Sequence, residues 1–90
     1  MKEIRKYDFV KLEETSNYYF VYDIQNDVAT IVGMKLTESG DSIMFYSRFI
    51  NTDKLKFVNE CFINMNGSLA ILRDNIKNGI DNYYIEGIIA

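Results

Sequence analysis

The stretch from Tyr18 to Met34 constrains this chain most, because its residues suit two strands folded back on one short polar turn. One arm is Tyr18, Tyr19, Phe20, Val21, Tyr22, Asp23, Ile24; the other is Val28, Ala29, Thr30, Ile31, Val32, Gly33, Met34. β-branched and aromatic residues dominate both, and such side chains fit a pleated, half-buried surface. Gln25, Asn26 and Asp27 lie between the arms, and Asn and Asp tolerate turn geometry. In the first arm Tyr18, Phe20, Tyr22 and Ile24 share one face. Tyr19, Val21 and Asp23 share the other, and Asp23 marks it as the face expected to meet water.

The neighbouring segments extend this hairpin. Tyr7 to Leu12 alternates as a first strand, with Tyr7 and Phe9 on one side and Val10 and Leu12 on the other; residues 13–17 form a polar break. After Leu36, the run Thr37, Glu38, Ser39, Gly40, Asp41 predicts a second tight turn with glycine available for positive φ. The returning strand runs from Ser42 to Ile50. Ile43, Phe45, Ser47 and Phe49 occupy one of its faces, and Met44, Tyr46, Arg48 and Ile50 the other.

From Asn51 the spacing of apolar residues changes. Leu55, Val58, Phe62 and Met65 recur at helical intervals behind a Thr52 or Asp53 cap, which predicts a helix ending at Gly67. The competing reading is a hairpin of Lys56–Ile63 with Leu69–Arg73 around Asn66 and Gly67. Ser68 can cap a further helix carrying Leu69, Leu72 and Ile76, closed by Asn78 and Gly79. Tyr83 to Ile89 reads as a closing strand. The expectation is a single domain over residues 1–90 of the α+β class: an antiparallel β-meander of about four strands, one or two short helices, and a closing strand. The alternative is a small SH3-like β-barrel in which the segments after Asn51 are strands.

Composition then narrows the function. The chain has no histidine, which withdraws the commonest general base and metal ligand. Its lone cysteine, Cys61, can form neither an internal disulfide nor a Cys–His nucleophile, and fits a small core residue in a reducing compartment. No cofactor and no metal are expected, nor is an enzyme. Carboxylate-only chemistry would have to use Glu13 and Glu14, Asp23 and Asp27, or Glu38 and Asp41, all at places where polar turn residues belong anyway. A net charge of −3 and a pI near 4.8 disfavour nucleic acid and acidic lipid as partners. The basic residues near the N-terminus, Lys2, Arg5, Lys6 and Lys11, fit a solvated face. The Met1 to Tyr7 segment is charged throughout and no run is apolar enough for a membrane span, so a cytoplasmic protein is expected.

Two candidate sites remain. Seven tyrosines exceed the needs of a core this small, and tyrosine suits surfaces that are part dry and part wet. Tyr19 and Val21 on one strand, with Tyr46, Arg48 and Ile50 on another, form the candidate interface for a protein partner or a second copy in a homodimer. The second candidate is an anion site for a nucleotide or similar small ligand at a helix N-terminus, using Ser68, Arg73 and Lys77.

Ile, Asn, Lys and Tyr make up 35 of the 90 residues, a bias that points to an AT-rich genome. In length, acidity and composition the chain resembles short cofactor-free proteins of phages and mobile elements, many of which inhibit host machinery by binding it. The functional expectation is a non-catalytic binding protein acting through protein contacts, in its narrower form a phage-encoded inhibitor of a host defence factor. The alternative is a small-ligand or nucleotide-binding protein.

Overall fold

The computed structural model describes residues 3–12, 17–36, 38–40, 43–58 and 67–79. Among these residues five antiparallel strands form one sheet: β1 (Phe9–Leu12), β2 (Tyr18–Gln25), β3 (Val28–Leu36), β4 (Ile43–Asn51) and β5 (Leu55–Phe57). Their order is β4-β3-β2-β1-β5, and one helix, α1 (Gly67–Lys77), packs on the sheet. This is a meander of the α+β kind.

The central hairpin closes more tightly than its sequence suggests. Gln25 pairs with Val28, which leaves Asn26 and Asp27 as a two-residue turn with φ of 51° and 65°. Positive φ at both positions matches the right-handed twist of the flanking strands. The turn after β3 contains Gly40 at φ 74°, the backbone state that glycine was expected to supply.

One irregularity decides which side chains are buried. Between Val21 and Asp23 the β2–β3 register slips, so Tyr22 is an extra residue in β2. Before the bulge, Tyr19 and Val21 point to one face; after it, Ile24 points there too, while Asp23 crosses to the other. The face shared by Tyr19 and Val21 is therefore core and not the wet side. Phe9, Phe20, Val32 and Val58 form the opposite face under Leu69 and Leu72 of α1.

The face away from the helix is buried because the sheet curls. β4 and β5 stand at opposite ends of the strand order, four strand spacings apart, roughly 19 Å if the sheet were flat. Yet only the 3-10 turn Thr52–Lys54 joins them, and the four Cα steps from Asn51 to Leu55 span at most about 15 Å. A flat sheet cannot be connected this way. Curling brings residues of all five strands into one cluster: Leu12, Val10, Tyr19, Val21, Ala29, Ile31 and Leu55, with Ile50 against them. The Thr52 N–H donates to the Asp27 carbonyl at 2.9 Å and fastens the connection to the central turn.

The segment after Asn51 corrects the expected first helix. Leu55–Phe57 is a strand paired with β1, extended by the Val58 N–H donating to the Phe9 carbonyl at 2.9 Å. Leu55 and Val58, three apart, enter opposite cores, as strand parity requires and a helical stripe forbids. The competing hairpin fails as well, since Leu69–Arg73 is helical. The barrel alternative placed strands after Asn51, and β5 is one, although β4 and β5 are not hydrogen-bonded neighbours. In α1, Leu69, Leu72 and Ile76 face the sheet as their spacing predicts. Gly67 is the first residue of this helix, and Gly79 at φ 79° follows its end. The expected closing strand, Tyr83 to Ile89, and Cys61, Phe62 and Met65 lie outside the described residues.

Candidate functional site

β4 carries most of the chain's candidate contact residues, and its neighbours explain how each is held. Gly33 of β3 sits between Tyr19 of β2 and Tyr46 of β4, directly opposite Tyr46. A Cβ on Gly33 would lie 2.6 Å from Cδ1 and Cε1 of Tyr19 and 3.2 Å from Cζ of Tyr46. The missing side chain is thus what lets the two rings meet across the middle strand. They pack edge to face with centroids 6.0 Å apart, and the Tyr46 hydroxyl donates to the Tyr19 hydroxyl at 3.0 Å. Burial, reinforced by that hydrogen bond, pushes the Tyr46 hydroxyl up to about 12. Lys35 lies with its ammonium 5.3 Å from the centroid of the same ring. The edge-to-face packing and the hydroxyl–hydroxyl bond tie β2 to β4 across Gly33.

The five residues expected to form an interface do share one face, but it is the inner one. Tyr19 is 2 % exposed and Val21 fully buried, so neither offers surface to a partner. Ile50 and Tyr46 pack partly against the same core. Arg48 alone of the five is exposed. The outer face of β4 supplies what the sequence reading did not single out: Phe49, 71 % exposed. It pairs with Thr30, diagonally from Val28, which is itself 40 % exposed. Its position on the outer face was legible from alternation; its exposure depends on how far α1 reaches over the sheet.

The candidate anion site does not assemble. Ser68 lies within the first turn of α1 and Lys77 is its last residue, about 13 Å further along the axis. Arg73 is already employed. Its Nε donates to Asp74 Oδ1 at 2.6 Å, its Nη1 donates to the Tyr7 carbonyl at 3.1 Å, and its guanidinium stacks 4.5 Å from the Phe9 ring centroid. It fastens the helix to the segment before β1, where Tyr7 holds a φ of 72° and donates its N–H to the Val21 carbonyl at 2.7 Å.

No group of three or more metal-ligating side chains gathers among the described residues. Asp23 accepts from Gln25 Nε2 at 3.1 Å beside the central turn, a local contact of the usual turn kind. Glu13, Glu14 and Asp41 lie outside the described residues. No helix among the described residues is long and apolar enough to cross a membrane. No protein-family model matches the chain, and no curated protein is significantly similar to it.

Proposed function

We propose that this is a non-catalytic binding protein that acts by occupying the surface of a protein partner, with β4 at the centre of the contact. The observation that carries the reading is Phe49. At 71 % exposure it is the most exposed large apolar side chain among the described residues, and Val28, 40 % exposed, lies diagonally from it on the same face, so the two form the start of an apolar patch. Arg48, next to it in β4, and the half-buried Tyr46, both on the inner face, are of residue types enriched among the anchors of protein contacts. A small antiparallel meander of the α+β kind hosts many activities and does not choose among them. The narrower reading, an inhibitor carried by a phage and directed at a host defence factor in the cytoplasm, rests on length and composition.

Affinity capture from the source cell, run in parallel with wild type and Phe49→Asp, tests the proposal. The expected result is a protein that copurifies with wild type and is lost with the variant, while both unfold at the same temperature. Sedimentation of the purified protein covers the case in which the partner is a second copy. Retention of the same proteins by both forms, or no retention and a monomer, contradicts the reading.

A further inference from the structure

On the outer face of the sheet, strand pairing lines residues up in rows. Val58, Phe9, Phe20 and Val32 form the row beneath α1. In the next row Lys56 of β5 stands directly opposite Lys11 of β1, and Lys11 stands directly opposite Tyr18 of β2. Two lysines therefore stand side by side on one face of the sheet, Lys56 exposed and Lys11 half-buried. Like charges in this position destabilise a sheet, whereas a carboxylate at either place would form a favourable cross-strand pair. Among the described residues neither lysine has a carboxylate within 4.0 Å. Lysine on a short edge strand discourages strand-to-strand aggregation, which accounts for Lys56. It does not account for Lys11, which lies between two paired strands.

We propose that Lys11 and Lys56, with Tyr18 beside them, form a docking point for a carboxylate-rich segment of a protein partner. The chain as a whole is acidic, with a net charge of −3, so the pair is a local positive spot in a repelling field. That combination favours a short acidic segment, which can meet two ammonium groups without lying along the rest of the surface. A nucleic acid strand, charged along its whole length, would also meet the acidic remainder. Tyr18 is half-buried, packs against the helix-side core and borders the pair. The contact is independent of Phe49, whose row lies on the other side of the helix-covered one.

A fluorescent octaglutamate peptide, titrated at low salt and followed by anisotropy, tests the pair. The protein binds the peptide, and added salt weakens the complex. Lys56→Glu lowers the affinity by about fivefold or more, yet its melting temperature stays level or rises, because a repulsive pair has become an attractive one. Lys11→Gln weakens binding without that gain, and Phe49→Asp leaves peptide affinity unchanged. No binding, equal affinity in wild type and Lys56→Glu, or tighter binding of an oligothymidylate than of the peptide overturns the proposal.

Discussion

At Gly33 a side chain would force its neighbours to move, because a Cβ would lie 2.6 Å from the buried Tyr19 ring. Gly33→Ala should destabilise the protein by about 1–3 kcal/mol, the usual cost of overpacking, read from urea unfolding. The neighbouring Tyr46→Phe removes one hydrogen bond and should cost about 0.5–1.5 kcal/mol. It should also change the response to alkali. The Tyr46 hydroxyl is raised from 10.0 to about 12 in the folded state, so the folded protein holds this proton more firmly than the unfolded chain does. The stability this group contributes is complete below pH 10 and is lost as pH climbs to about 12. Wild type should therefore lose more stability than Tyr46→Phe over that interval. Identical slopes would show that the hydroxyl is not held as described. Gly33 and Tyr46 were both visible in the sequence, but only the pairing register places Tyr19, Gly33 and Tyr46 in one row.

Elements with regular periodicity were legible: β2, β3, β4 and α1 fall where alternation, turn residues and the Leu69, Leu72, Ile76 spacing put them. What defeated the reading was local and had no marker in the residue pattern. The bulge at Tyr22 moves Asp23 off the face of Tyr19 and Val21, so a charge that implied water sits on the opposite side. The interface expectation inherited that error. Leu55 and Val58 suit a helix by spacing alone, and only the short connection from β4 reveals that they belong to a strand. Two predictions belong at this scale. Asp27→Gly should stabilise the central hairpin by up to about 1 kcal/mol, since φ of 65° suits glycine better, with the midpoint of chemical unfolding as the readout. Arg73→Ala should cost about 1–3 kcal/mol through the lost Tyr7 contact and the stacking on Phe9. Arg73→Lys should recover little of it, because an ammonium cannot reproduce the planar stack and fork. Hydrogen exchange at the Tyr7 amide, faster in both variants, checks whether the segment before β1 has come loose.

For the molecule as a whole, the curl of the sheet separates what folds the chain from what is left for contact. It turns one face of five strands into an interior, and α1 covers part of the other. Among the described large apolar residues that remain outside, Phe49 is the most exposed. A photoreactive phenylalanine analogue at position 49, illuminated in the source cell, tests that residue as a contact point. The same analogue at position 71, where Ile71 is 58 % exposed on α1, serves as the comparison. The account predicts a discrete protein adduct from position 49 that position 71 does not give; adducts of equal yield from both positions, or none from position 49, would contradict it.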